Sequence, residues 1–445
     1  MELEPRATEL ASVFSLTLHR LQRAPRAIHR AFLSRASLFR PNRNIQGTYH
    51  AQGLAFIRDE LMADTCAIQM ITRAEKEILV LNADPDPLSM ITPTLKSIQK
   101  ENPHLRIVLR TSRDGKRLIV VDRKSAIVGA GRLQVCVQGD LARGLACEFS
   151  DVPSTHVSRA TDAFGFGWPF HSRVDLESVE VGLSRTRPTA PIEIERLTLE
   201  AIRSARRFIY IETKWFTSPL ITHALQKRLE VGDGPEVILI LPTSRAPSGL
   251  HQRALSSLQR ESLSQLERYD LHDRLRVYER PQAKLGRGKG EPCHALIIDD
   301  QFLKLGTSTL TSSSLGNAHE FDLSIEAVGR AHVVMSIARL RRELIGDLLN
   351  LEPSEFDARF LLNGSLIGTI ESFFHGEREL ELVESASETR SVIQALRPWI
   401  DPKRPKAFRR WVLRTVRYGL THKQFASILL TFFALLVTIA SVIAR

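Results

Sequence analysis

Cys293-His294-Ala295-Leu296-Ile297-Ile298-Asp299-Asp300-Gln301-Phe302-Leu303-Lys304-Leu305-Gly306-Thr307-Ser308-Thr309-Leu310, followed by Gly316-Asn317-Ala318-His319-Glu320-Phe321-Asp322-Leu323-Ser324-Ile325-Glu326, is the stretch on which the fold turns. Leu296 to Ile298 reads as a buried strand, and Asp299-Asp300-Gln301 as a turn, because Asp bonds its own backbone there. Glu320 and Asp322 stand at the entry of a further apolar strand. Arg117-Leu118-Ile119-Val120-Val121-Asp122-Arg123-Lys124-Ser125-Ala126-Ile127-Val128-Gly129-Ala130-Gly131-Arg132-Leu133 repeats the pattern, with Asp122 in the turn.

Working outward, the repeat extends beyond the two stretches. Ile57 to Ala74 is expected to be helical, Ile78 to Asn82 a buried strand, Pro93 to Lys100 a helix, and Leu105 to Leu109 and Leu118 to Val121 strands. Glu193 to Ala205 is expected to be helical, with strands at Phe208 to Glu212, Val237 to Leu241, Leu275 to Val277 and Leu296 to Ile298. Helices alternating with apolar strands imply mixed sheets covered by helices, as two α/β layers facing each other across a pseudo-twofold.

Both stretches resemble the duplicated HKD motif of the phospholipase D superfamily, with its key letters changed. The family pattern is His-x-Lys, four residues, Asp, then a Gly-Ser-x-Asn turn. In the second copy Pro292 takes the His slot, His294 the Lys slot and Asp299 the Asp slot. In the first, Gly115 takes the His slot, Arg117 the Lys slot and Asp122 the Asp slot, while Arg132 stands in place of the turn Asn. The resemblance runs from about residue 53 to about residue 350, and Ile192 to Ser218 is similar to the family's helix and "IENQYF" strand. It implies two similar phospholipase D-like α/β sandwich domains. On this reading residues 1–50 are a basic segment, 51–140 the first half, 141–191 a connection, 192–350 the second half and 351–401 a helical extension. Active relatives carry a longer insertion before the first motif.

In the family, one motif His attacks phosphorus, the other protonates the leaving alcohol, and Lys and Asn hold the phosphate oxygens. Gly115 and Pro292 can do neither proton transfer nor attack. Losing a general acid alone costs ~10²- to 10⁴-fold, and losing the nucleophile closes the two-step route. His294, His319 and His104 are the candidate substitutes. Phosphate binding could persist through the planar forks of Arg117 and Arg132, through His294, and through the hydroxyls of Thr307 and Thr309. Arg117 and Arg132 read equally well as solvated strand ends, His294 as a structural histidine, and Asp122 and Asp299 as turn residues. Glu320 and Asp322 match a family acidic pair that orders the site, and are also ordinary strand-entry residues. No cofactor is implied. Cys66, Cys136, Cys147 and Cys293 have no CxxC or metal spacing, which points to free thiols and away from structural zinc.

The net charge of +11 is carried by the ends. Residues 402 to 445 contain nine Lys or Arg and no acid, and residues 10 to 58 contain eight Arg and no acid, so the body between them is slightly acidic. That distribution gives no strong nucleic-acid signal and suits an anionic phospholipid membrane. Residues 425–444 are uncharged, and twenty residues at ~1.5 Å each span the ~30 Å hydrocarbon core. With the basic segment 402–424 before it, this reads as a single-pass C-terminal anchor holding the body in the cytoplasm, at a bacterial inner membrane. Leu18 to Arg43 reads either as a surface-lying amphipathic helix or as a solvated arm. Three functions stay open: a pseudoenzyme that binds anionic headgroups or acts as a scaffold, a phosphodiesterase or phosphatidyl transferase with substitute residues, and a nucleic-acid-binding or nuclease-like protein.

Overall fold

The computed structural model describes residues 47–83, 91–112, 116–149, 168, 170–187, 192–242, 250–280, 292–373, 381–382, 397–398 and 400–403. The first half runs β1 (Gly47–Ile57), α1 (Glu60–Thr72), β2 (Glu77–Ala83), α2 (Ile91–Glu101), β3 (Arg106–Ser112), β4 (Lys116–Val121), β5 (Ser125–Ala130), β6 (Leu133–Gly139) and α3 (Asp140–Ala146). The second half repeats that order as β7 (Leu176–Thr186), α4 (Glu193–Ser204), β8 (Phe208–Glu212), α5 (Pro219–Leu229) and β9 (Glu236–Pro242). It then inserts α6 (Leu250–Tyr269) and β10 (Leu275–Arg280) before β11 (Ala295–Ile298), β12 (Phe302–Gly306), α7 (Ser312–Gly316), β13 (Glu320–Glu326) and α8 (Ala331–Leu349). The extension holds α9 (Pro353–Asn363), α10 (Leu366–Glu371) and the two-residue β14 (Glu381–Leu382).

Local rules explain these elements. Helix α1 is capped by Asp59, whose side chain accepts from the Met62 backbone N–H, satisfying a first-turn donor. In α4, Ile194, Leu197, Ala201 and Ile202 recur at helical spacing and are all buried. Along β11, Ala295 and Ile297 face one apolar cluster while Leu296 and Ile298 face another, as a strand buried on both sides requires.

Two separate sheets were expected, and the structure corrects this to one mixed sheet of 14 strands in the order β14-β10-β9-β8-β11-β12-β13-β7-β1-β6-β5-β4-β2-β3. The halves fuse because β1 and β7 pair antiparallel, Gly47 opposite Leu183 through Leu54 opposite Leu176. Pairing of two edge strands satisfies backbone groups that each half alone would leave open. Residues 176–186 are therefore a central strand and not part of a connection, and Ala51–Ile57 belongs to β1, with the helix starting at Glu60.

One apolar core, including Leu118, Val120, Val137, Tyr210, Ile297 and Leu323, is shared by the two halves. Two outer cores pack the helices onto the far faces, one per half. Among the described residues no helix is long and apolar enough to cross a membrane. The expected anchor at 425–444, nearly all of 402–424 and residues 1–46 lie outside the described residues.

The turn aspartates occupy equivalent places. Asp122 has φ 51° and Asp299 φ 55°, each followed by another positive-φ residue. The Asp122 carboxylate accepts from the backbone N–H groups of Glu75, Lys76 and Glu77 at 2.7–2.9 Å. Asp299 accepts from Arg206, Arg207 and Phe208 at 2.8–3.0 Å. Each carboxylate joins its hairpin to the start of the neighbouring strand, β2 or β8. Next to Asp299, Asp300 takes a two-pronged bond from the buried Arg341 of α8, at 2.8 and 3.0 Å.

Asp299→Ala strands three N–H donors and is expected to destabilise the protein by about 3 kcal/mol. Urea unfolding measures it, and a loss below that of an exposed control substitution would contradict the role.

Candidate functional site

The motif strands bring His294, Lys304, Thr307, Ser308, Glu320 and Asp322 together at one end of β11, β12 and β13. Gly306 makes this approach possible: a Cβ there would lie 2.5 Å from an Asp322 carboxylate oxygen and 2.5 Å from the Phe321 carbonyl. Asp322, fully buried, accepts from Lys304 Nζ at 2.5 Å, from the Ser308 N–H at 3.0 Å, and from the Ser308 hydroxyl. Lys304 also donates to Ser308 Oγ at 3.2 Å. His294 is buried beside this group, and among the described residues its Nδ1 has no hydrogen-bond partner. Burial, and to a lesser degree Lys304 and Lys214, push its imidazole down to about 4, against the opposing pull of Asp322. It is therefore neutral at pH 7.

Glu320 anchors a second group and bridges the halves. Lys116, at the start of β4, donates to its carboxylate at 2.8 Å and to the His319 carbonyl at 3.1 Å. The Thr307 hydroxyl donates at 2.6 Å and the Ser314 hydroxyl at 3.1 Å. Burial raises Glu320 to about 7 even with Lys116 beside it. Thr309 shares a 3.3 Å hydroxyl contact with Thr311.

The two arginines expected to grip phosphate are both engaged inside the protein. Arg117 ion-pairs with Asp64 of α1 at 2.7 Å, lies 3.7 Å from Glu60, and donates to Gln134 Oε1 at 3.2 Å. Arg132 grips Glu212 with two parallel bonds of 2.8 and 2.6 Å, and reaches Asp347 and the Leu344 carbonyl, each at 3.2 Å. Glu212, at the end of β8, also accepts from Tyr210 Oη at 3.0 Å and from the Cys293 N–H at 3.2 Å. Arg132 holds the Glu212 carboxyl below its usual value although burial opposes it.

Pro292 is buried, and Gly115 lies outside the described residues. His104 and His319 are exposed, and Cys293 is fully sequestered. Among the described residues no three His, Cys, Asp or Glu side chains are arranged to hold a metal ion.

Sequence reasoning missed Lys304, Lys116, Ser308 and Glu212. Lys304 carried a signal, as a lone cation inside the strand Phe-Leu-Lys-Leu-Gly, where a buried charge must be paired. Glu212 lies inside the matched "IENQYF"-like strand, but its partner Arg132 is 80 residues away in sequence.

Two halves repeating one order of strands and helices, joined in one sheet with their motif strands meeting across an inner core, define the phospholipase D superfamily fold, and this chain has that fold. Phosphatidylserine synthase from Haemophilus influenzae Rd KW20 is similar in structure, with a TM-score of 0.51, 13% identity, and coverage of 75% of this chain and 96% of that one. NucT from Helicobacter pylori superposes less well, with a TM-score of 0.27 and 18% identity over 38% of this chain and 96% of that one. No family model matches the sequence, and no curated protein does.

Arg132→Met removes the cation from a fully buried pair and leaves Glu212 charged in a dry interior, so a loss of about 3–5 kcal/mol is expected in chemical unfolding. A loss under 1 kcal/mol would show that Glu212 is otherwise satisfied.

His294 and Glu320 pull stability in opposite directions with pH. The depressed imidazole contributes stability present above pH 6.5 and lost as pH falls toward about 4. The raised carboxyl contributes stability present below pH 4.5 and lost as pH rises through about 7. His294→Gln is therefore expected to lower Tm at pH 7 relative to pH 5, and Glu320→Gln to do the reverse. Melting curves at the two pH values check both signs.

Proposed function

We propose that this chain is a membrane-bound pseudoenzyme with a phospholipase D fold, which engages anionic phospholipid headgroups and does not turn lipid over. One observation carries the reading: the charged side chains at the motif positions are neutralised by carboxylates within the protein. Arg117 faces Asp64, Arg132 faces Glu212, Lys116 faces Glu320 and Lys304 faces Asp322. With Pro292 and Gly115 in the nucleophile slots, neither slot supplies a nucleophile, and these four cations are already engaged. His294 stands in a motif slot, and its depressed basicity and burial oppose both attack and acid catalysis at pH 7.

The membrane part of the proposal rests on the uncharged run 425–444 and the cations preceding it. The chain leading into that run is fastened to the second half. Asp401 accepts from the Thr217 hydroxyl at 2.6 Å and from the N–H groups of Ser312 and Ser313 at 2.7 and 2.6 Å, and Lys403 pairs with Glu195 at 2.8 Å. The basic segment thus starts from a fixed point on the body, which suits an electrostatic approach of that body to an anionic surface.

Full-length protein is expected to bind vesicles of phosphatidylcholine and phosphatidylglycerol, with binding that weakens as salt rises. It should release no phosphatidic acid, and form no phosphatidylethanol when ethanol is added. Turnover that His294→Ala abolishes would replace the pseudoenzyme with an active phosphodiesterase.

A further inference from the structure

Cys66 lies in the middle of α1 and Cys136 in the middle of β6, and the two share the outer apolar core of the first half. Both are buried, and their thiols are hydrogen-bonded to each other. Cys136 sits opposite Ala55 of β1 on one side and Ile127 of β5 on the other, so the sheet fixes its place. Sulfurs already in contact meet the first condition for a disulfide, since cysteines whose Cβ atoms point apart cannot join without backbone movement.

The two thiols have unlike surroundings. The backbone N–H groups of Ser172 and His171 are directed at the Cys66 sulfur. Trp168 steadies this segment: its indole N–H donates to the Ser172 carbonyl at 2.7 Å, and its ring lies so close to Gly53 that a Cβ there would come within 2.6 Å. Asp175 fastens the segment further along, donating its N–H to the Leu54 carbonyl at 2.8 Å and accepting from the Phe56 N–H at 2.7 Å. Hydrogen bonding from Cys136, joined by the two N–H groups, holds the Cys66 thiol down to about 6 although burial opposes it. Burial instead pushes Cys136 well above its ordinary value, and it raises Cys147 and Cys293 as well. One member of the pair is thus mainly thiolate at pH 7, while the other keeps its proton.

Cys66 also stands close to open space. Met62, Thr65, His171 and Ser172 line a cavity of about 910 Å³, so the segment that faces the sulfur is itself a wall of that cavity. The position matters to the first motif, because two residues before each cysteine stands a partner of the same guanidinium. Asp64 of α1 pairs with Arg117 at 2.7 Å, and Gln134 of β6 accepts from it at 3.2 Å.

We propose that Cys66 and Cys136 form a peroxide-reactive dithiol, with Cys66 attacking and Cys136 resolving, whose disulfide ties α1 to β6 around Arg117. The Cys66 thiolate attacks one oxygen of a hydroperoxide, the O–O bond breaks, and the other oxygen leaves as hydroxide or alkoxide; sulfur loses two electrons and the peroxide gains them. The Cys136 thiol then gives up its proton and attacks the Cys66 sulfenic acid. The S–S bond forms, the S–O bond breaks, and the departing hydroxide takes the proton to become water. Entry past the backbone of His171 and Ser172 favours the smallest member of the class, hydrogen peroxide. Neither thiol occupies a motif slot, so this chemistry is independent of the lipid-binding reading and stands whether or not that reading does.

Treatment of folded full-length protein in detergent with stoichiometric hydrogen peroxide, followed by unfolding, alkylation and peptide mapping, tests it. Free thiols are expected to fall from four to two, with the Cys66 and Cys136 peptides joined, and to return to four with dithiothreitol. Cys136→Ala should instead hold Cys66 as a sulfenic acid that dimedone traps, and Cys66→Ala should leave Cys136 reduced. Cys147 is the most exposed of the four, at 6%, so accessibility alone would oxidise it first. Oxidation of Cys147 ahead of the pair, or four intact thiols after treatment of the folded protein, overturns the proposal. Should either variant fail to fold, the wild-type map decides, because the Cys66–Cys136 linkage is read from it directly.

Discussion

A guanidinium and a carboxylate, Arg132 and Glu212, face each other with 2% and 0% of their side chains exposed, one from each half of the molecule. Neither charge is tolerable alone in that environment, so each half needs the other to be a stable structure. The pair also sets what its surroundings can do. Glu212 orders Tyr210 and the start of β11 through Cys293, while Arg132 reaches on to α8. Removing the guanidinium from this position would therefore disturb the seam between the halves before it affected any ligand.

The same rule, that a buried charge must be met, accounts for the group at one end of β11, β12 and β13. Lys304 lies in β12, ten residues beyond the Lys slot at His294, and its charge is taken up by Asp322. Lys116, one residue before the first Lys slot, is taken up by Glu320 from the opposite half. The carboxylates of Glu320 and Asp322 close over lysines and hydroxyls. Glu320 keeps an elevated basicity and His294 a depressed one, and these are consequences of burial before they are signs of chemistry. A cavity that Arg132 also lines carries charge of both signs.

Legibility from sequence differed sharply by element. The strands Phe208–Glu212, Glu236–Pro242 and Ala295–Ile298 were readable because they are buried on both faces and therefore uniformly apolar. The turn aspartates were readable because Asp-Arg-Lys-Ser and Asp-Asp-Gln carry local turn chemistry. Strand β7 was not, since its Leu-Glu-Ser-Val-Glu-Val-Gly start alternates weakly and follows a stretch rich in Ser, Pro and Gly. Arg117 and Arg132 were visible as cations, but their carboxylates lie 53 and 80 residues away, beyond any local pattern.

What the sequence determined by itself was the local layer: two copies of a strand, an Asp turn and a glycine-ended strand, and the concentration of positive charge at the ends. Those follow from residue identity, periodicity and turn preference, all of which act over a few neighbours. Only the tertiary structure decided that the half-sheets join through β1 and β7, that Arg117, Arg132, Lys116 and Lys304 each meet a carboxylate, and that a cavity remains between the halves. Each of those depends on contacts between residues far apart in the chain, where burial and not local preference sets the energy of a charge.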